Sequence, residues 1–369
     1  MSLKSTQRHV MGIEGIISPP NLPGLVALFG SGEISASGRR VYEWLLSKSS
    51  TPIRVAILET PAGFQPNSAQ VAQDISDFLR YHLQNYQLNI DIVPARRRGA
   101  HFSTEDESVV SPVLLSSMIV LGPGSPTYAV RQLQESLAWH TVLACHRQGA
   151  TLVLASAATI ASGVKSLPVY EIYKAGEDLH WRPGLDLFGP YGLSLVFISH
   201  WNNNEGGDKL DTSRCYMGQS RFAHLVKMLP PDVNIIGIDE HTALLVDLIE
   251  QNCRVMGRGT VTLLRDGKED SYSDGQVFAI SELGPFHTIE QQSGITLDIW
   301  ERVKGARAKA REVPFMQPSA EVLTLVESRE KARACGDWKM SDALREQILI
   351  SGWKVNDTRN GPRLIPREQ

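Results

Sequence analysis

The sequence predicts an α/β protein, a mostly parallel sheet with helices on both faces, followed by a small helical appendage. Three observations carry this. Short, apolar, β-branched runs at residues 25–29, 55–58, 90–93, 118–121 and 151–155 have no polar face, the pattern of strands buried on both sides. Longer amphipathic stretches at 37–47, 68–84 and 128–148 lie between them and set a βαβ rhythm. The chain has 369 residues, 42% hydrophobic and 21% charged, which suits one large globular domain and a smaller one.

After residue 192 the rhythm changes. Residues 193–198, 234–238, 243–248, 254–256, 261–264 and 277–280 read as short strands between turn residues, and they are predicted to extend the sheet, partly antiparallel. Residues 301–317 concentrate Lys and Arg before Pro314 and Pro318 break the pattern, so a helix runs into a linker. Residues 322–335 form a helix that stops at Gly336-Asp337. Met340, Ala343, Leu344 and Ile348 then mark one face of a second helix, so the tail is a helical hairpin. Residues 353–355 and 363–365 around Asn360-Gly361 read as a β-hairpin. The expected division is an α/β domain at 22–300, a helix and linker at 301–317, and a tail domain at 318–369.

Composition removes several function classes. The formal net charge is −3, so the whole molecule has no general attraction for nucleic acid or an acidic membrane face. Cys145, Cys215, Cys253 and Cys335 are far apart and form no C-x-x-C pair, which points to a reducing, cytoplasmic compartment. Residues 10–17 are interrupted by Gly12, Glu14 and Gly15, so no secretory leader is expected, and Met1-Ser2-Leu3 reads as an expression scar. No uncharged apolar run approaches the roughly 20 residues of a membrane-spanning helix. The histidines show no H-E-x-x-H or paired Cys/His spacing, and no dinucleotide fingerprint occurs. Neither a metal nor a cofactor is predicted.

Four places can carry chemistry. The strand at 151–155 runs straight into Ser156, followed by Ala157, Ala158 and Thr159. A nucleophile on a tight strand-to-helix turn needs such small neighbours, though the same pattern also serves plain helix-on-strand packing. The loop Gly122-Pro123-Gly124-Ser125 follows strand 118–121 and can offer amides to an anion. It lacks a P-loop lysine, and a bare glycine-proline loop is more often an ordinary turn. His200 follows strand 193–198, where an imidazole can take and return a serine proton or simply be solvated. Asp239-Glu240 end strand 234–238, where a carboxylate orients an imidazole or caps a turn. Serine, histidine and acid all stand at predicted strand ends.

A family resemblance covers these segments in order over roughly residues 22–290. Leu25-Val-Ala-Leu-Phe-Gly30-Ser-Gly32-Glu33, Gly122-Pro-Gly124, the Ser156 turn, His200 followed by an aromatic, Ser220-Arg-Phe-Ala-His-Leu-Val226 and Ile236-Gly-Ile-Asp-Glu240-His-Thr-Ala243 together resemble the cyanophycinase and aspartyl-dipeptidase family of serine peptidases, of the class I glutamine amidotransferase-like superfamily. The resemblance implies a flavodoxin-like three-layer sandwich. It also implies Ser156 as nucleophile, His200 as general base and Glu240 as its orienting acid. The amides of Ala157 and Gly124 would be oxyanion donors, with Gly122 and Ser125 in the substrate loop. The sequence departs from the family in three places. Ala158 stands where the family's T-S-A-G-A motif has glycine, residues 202–219 intervene between the histidine and the arginine-bearing helix, and Ser125-Pro126 replaces an expected glutamine. Hydrolysis of a small peptide or amide is therefore the implied activity, with cyanophycin itself disfavoured. A catalytically silent binding or scaffolding module is the alternative.

The tail has a resemblance of its own. Residues 320–345, with Gly352-Trp353 and Asp357-Thr358, resemble the C-terminal appendage of bacterial cysteinyl-tRNA synthetases, whose H-I-G-H catalytic signature is absent here. Residues 318–369 hold nine Lys or Arg against eight Asp or Glu, a thin footprint for RNA. A docking or assembly role is the first expectation for the tail, an RNA or protein contact through 318–369 remains open, and so does a homo-oligomer.

Overall fold

Alternate residues of each apolar run face opposite ways, and this builds the core. β1 (Val26–Phe29), β2 (Arg54–Leu58), β3 (Asn89–Val93), β4 (Met118–Leu121) and β5 (Thr151–Ala155) pair in parallel in the order β1-β5-β4-β2-β3. Between them lie α1 (Ala36–Ser47), α2 (Ser68–His82), α3 (Glu107–Val110), α4 (Pro126–Leu133) and α5 (Leu137–Arg147). Ala27, Phe29, Val55, Ile57, Val153 and Ala155 pack with Val41, Leu45 and Leu46 of α1 and Ile75 and Leu79 of α2. Val26, Leu28, Ala56, Leu58, Leu152 and Leu154 point the other way, to Trp139 and Val142 of α5. The computed structural model describes residues 22–49, 52–312, 318–358 and 361–366; the expectations for 1–3, 10–17, Pro314 and Asn360 lie outside them.

The second half follows as α6 (Ala157–Ala161), β6 (Lys165–Ser166), α7 (Val169–Tyr173), β7 (Arg182–Pro183), β8 (Leu195–Ile198), α8 (Gly218–Lys227), β9 (Asn234–Ile238), β10 (Thr242–Asp247), β11 (Asn252–Gly257), β12 (Thr260–Arg265), β13 (Lys268–Ser273), β14 (Val277–Ala279) and α9 (Leu297–Glu312). Here the expected single extended sheet is corrected. β10, β11 and β14 extend the first sheet, entered by the antiparallel β1–β10 pair, to eight strands. β8, β9, β12 and β13 form a separate four-stranded sheet in which β8 and β9 are parallel. The switch occurs at Asp239-Glu240-His241, where His241 takes a positive φ of 57° and turns the chain from one sheet into the other. β13 carries no apolar strand signal in the sequence because it is a polar edge strand, KEDSYS, paired to β12.

Two helix expectations also change. The stretch 128–148 is two helices, because Glu135 has φ 56° and the Ser136 side chain accepts from the Trp139 amide to start α5 anew. α9 starts at Leu297 and belongs to the α/β core: Ile299, Trp300 and Val303 are buried there, and Arg307 donates to the carbonyls of Leu114, Ser116 and Gln148.

The tail is the expected hairpin, α10 (Ala320–Ala334) and α11 (Trp338–Ile350), closed by β15 (Trp353–Thr358) and β16 (Gly361–Pro366). Its small core is Val322, Val326, Ile348, Trp353 and Val355. On α11 Leu344 and Ile348 of the predicted face turn inward together with Ser341, whereas Met340, 52% exposed, and Ala343 face outward. Arg329 is 1% exposed and pairs two-pronged with Asp357, both bonds 2.8 Å. The guanidinium holds the Asp357 carboxyl below its usual range. That contribution is complete above the ordinary aspartate range and is lost as pH falls through the lowered value. Asp357→Ala strands the buried cation with only Glu330 beside it, and is expected to destabilise the tail by about 2–3 kcal/mol, less than breaking a fully buried pair costs because the Asp357 side chain is 40% exposed. Amide exchange at Trp353 and Val355 measures this; unchanged protection would contradict it.

Candidate active site

β5 delivers Ser156 into a backbone conformation that side-chain-bearing residues avoid, φ 51° and ψ −105°. The turn is braced on all sides. The Ser156 amide donates to Phe29 O at 3.0 Å, the Ser199 hydroxyl donates to Ser156 O at 3.0 Å, and the Thr159 hydroxyl lies 2.9 Å from Phe29 O and 3.0 Å from Leu154 O. Ala157 and Ala158 are buried, so the site tolerates a methyl where the family motif has glycine.

β8 and β9 bring in the other two groups from the second sheet. His200, also at positive φ (52°), places Nε2 2.9 Å from Ser156 Oγ and Nδ1 2.8 Å from Glu240 Oε1. The Glu240 amide donates to Asn202 Oδ1 at 2.8 Å, and Asn203 Nδ2 donates to Glu240 Oε1 at 3.0 Å. The His200 hydrogen bond, helped by Asn203, lowers the Glu240 pKa to about 2, so the carboxylate is ionised at neutral pH. The three side chains meet at the seam where the carboxyl ends of β5, β8 and β9 converge.

Glu33 stands out in the sequence only as the last residue of a motif. It lies in the loop after β1, is 6% exposed, and has its pKa raised by burial against the pull of His200 and His241. The available signal was a carboxylate in the short Gly30-Ser31-Gly32 turn region after a fully buried strand, at the same sheet edge as Ser156.

The loop at 122–125 is sterically fixed. Gly124 has φ 151°, and a Cβ there would sit 1.9 Å from Pro61 O. The Ser125 amide donates to Pro61 O at 3.0 Å and its hydroxyl accepts from the Tyr128 amide, so Ser125 caps α4. Ser125 also lines a cleft of about 770 Å³ with Thr127, Tyr128, Arg131, Tyr170 and Glu171. A Cβ on Gly122 would meet Ile75. Arg221, on α8, donates to the carbonyls of Met217 and Tyr216. Among the described residues no group of three or more His, Cys, Asp or Glu is placed to hold a metal, and no helix is long and apolar enough to cross a membrane.

No protein-family model matches the chain. Among solved structures it is similar to a peptidase from an acI-B1 Actinobacterium, with a TM-score of 0.56 and 18% identity over 70% of this chain and 98% of that one, a likeness of fold. Among curated proteins it is 40% identical over 87 residues to the cysteine–tRNA ligase of Methanosarcina mazei, covering 24% of this chain and 16% of that protein. It is 42% identical over 66 residues to the cysteine–tRNA ligase of Rubrobacter xylanophilus, covering 18% of this chain and 13% of that protein. The chain thus spans about a sixth of the length of the first ligase. Both resemblances read from the sequence find support: the α/β part has a peptidase-like fold, and a further part is similar to the C-terminal region of cysteine–tRNA ligases.

Proposed function

We propose that the protein is a serine-type hydrolase that cleaves a peptide or amide bond of a small substrate through an acyl-enzyme. The observation that carries this is the unbroken relay from Ser156 Oγ to His200 to Glu240, at 2.9 and 2.8 Å, built on a strained serine. Ser156 Oγ attacks the carbonyl carbon while His200 Nε2 takes its proton. The amides of Ala157 and Gly124 hold the oxyanion, and His200 returns the proton to the departing amine. Water then attacks the ester with His200 again as base. The cleft beside Ser125 takes the substrate's side chain. Strain at Ser156 and His200 weighs against a silent scaffold, which gains nothing from holding two residues in disfavoured conformations. The tail serves as a docking module. A fluorophosphonate probe tests the reading whatever the substrate is: the adduct is expected on the Ser156 peptide and absent from Ser156→Ala, and a wild type left unlabelled would count against it.

A further inference from the structure

Residues 202–217, which separate His200 from α8, are the largest departure from the family pattern, and they return to the relay at one atom. Asn203 is 2% exposed. Its Nδ2 donates to Glu240 Oε1 at 3.0 Å, the oxygen that also receives His200 Nδ1. Its Oδ1 accepts from the Glu205 amide at 3.3 Å, which fixes which end of the side-chain amide faces Glu240. Its backbone amide donates to His200 O at 3.1 Å. Asn203 therefore grips the histidine through the main chain and the acid through the side chain.

The far end of the segment carries unusual strain. Arg214, Cys215 and Tyr216 are three consecutive residues at positive φ (55°, 56° and 67°), none of them glycine. The amides of Arg214 and Cys215 donate to Trp201 O and His200 O at 2.8 and 3.2 Å, so the strained run fastens the backbone as it leaves His200. Arg214 also stacks 3.7 Å from the Trp201 ring centroid. Such strain persists only where the surroundings enforce it, and here two of the three strained residues are held by His200 and Trp201.

We propose that Asn203 is a positioning residue of the relay, a fourth member contributed by the 202–217 segment, which stops the Glu240 carboxylate from rotating and presents Oε1 to His200 Nδ1. The inference rests on the serine-hydrolase reading. A carboxylate oxygen held from two directions has one orientation left, which is how supporting groups keep a reactive constellation within the narrow tolerance it needs. Glu33, His241, Cys215 and Tyr216 are the other titratable groups whose charge reaches this pair, and Oε1 takes its hydrogen bonds from His200 and Asn203.

The test compares fluorophosphonate labelling rates at Ser156 in the full-length wild type, Asn203→Ala and Asn203→Asp. Asn203→Asp is the decisive variant. It keeps the shape and the acceptor for the Glu205 amide, replaces the donor by an oxygen, and sets a second carboxylate against Glu240. The expected result is labelling slower by roughly tenfold to a hundredfold in Asn203→Ala, and at least as slow in Asn203→Asp, each measured on protein that circular dichroism shows to be folded at the labelling temperature, with Asn203→Asp lowest in thermal midpoint because it buries a second charge. The Asn203→Asp deficit should also shrink as pH falls, because a protonated carboxyl donates again. A space-filling Asn203 predicts the opposite order, with Asn203→Asp near wild type, and that result overturns the proposal. So does slow labelling found only at temperatures where circular dichroism shows the variant unfolding, which would assign Asn203 to loop stability. A wild type that takes no label removes the hydrolase reading and this inference together, whereas a labelled wild type with two unaffected variants removes only this inference.

Discussion

Glu240→Gln is expected to slow acylation of Ser156 by roughly a thousandfold to ten-thousandfold while leaving the fold intact. The side chains match in size, so the change is one of charge and hydrogen-bond direction. Glu240 Oε1 accepts from His200 Nδ1 at 2.8 Å and from Asn203 Nδ2 at 3.0 Å, two donors converging on one acceptor. A glutamine keeps both bonds only with its carbonyl oxygen in the Oε1 place, and there it lacks the carboxylate charge; flipped, it presents its NH₂ to His200 and selects the tautomer that cannot accept the serine proton. It also removes the charge that steadies the imidazolium formed during acylation. pH dependence follows with a definite sign. The folded-state pKa of Glu240 is lowered to about 2, so its contribution is complete above the ordinary glutamate range and fades as pH falls toward that value. Loss of labelling in mildly acidic buffer would therefore come from another group. The labelling rate of Glu240→Gln at neutral pH, with circular dichroism to confirm folding, checks the prediction, and a wild-type rate would contradict it.

The second large effect is at Gly124, where a single methyl is expected to disturb both stability and chemistry. Its Cβ would lie 1.9 Å from Pro61 O, 2.2 Å from Pro61 C and 2.7 Å from Ala62 N, all backbone atoms that cannot swing aside. The positive φ of 151° adds conformational strain. Gly124→Ala must push the 122–125 loop away from residues 60–62 and break the Ser125 amide bond to Pro61 O. Overpacking and strain together are expected to cost about 2–4 kcal/mol, read as a lower urea midpoint. If the Gly124 amide is an oxyanion donor, labelling of the folded variant also slows by roughly a hundredfold. A variant with wild-type stability would show that the loop yields more readily than its contacts imply.

The five parallel strands and the positions of Ser156, His200 and Glu240 were legible because each rests on a local pattern: an unbroken apolar run, or a polar residue placed directly after one. What escaped the sequence depends on contacts between distant segments. Nothing local says that β8 and β9 leave the first sheet, since that choice is made by the turn at Glu240-His241 and by Leu195, Phe197, Ile236 and Ile238 packing into the shared core. The break at Glu135 hid inside a pattern that kept helical periodicity. Ser125 read as a loop residue facing an anion, yet its hydroxyl caps α4 and its amide is taken by the distant Pro61 carbonyl. The role of residues 202–217 was invisible for the same reason: an asparagine in a polar loop carries no signal until the fold brings Glu240 beside it. The tail's charge pair gave no clear sign either, because Arg329 and Asp357 look like ordinary solvated charges until Arg329 is found buried.

The central claim is that Ser156 becomes covalently acylated with His200 as its base. Acid-quenched intact mass after mixing the protein with an activated ester of a short acyl group measures this most directly, with Ser156→Ala and His200→Ala alongside. The account predicts a mass increase of one acyl group that maps to the Ser156 peptide, is absent from Ser156→Ala, and accumulates far more slowly in His200→Ala. An adduct on another residue, or equal acylation of wild type and Ser156→Ala, would contradict it.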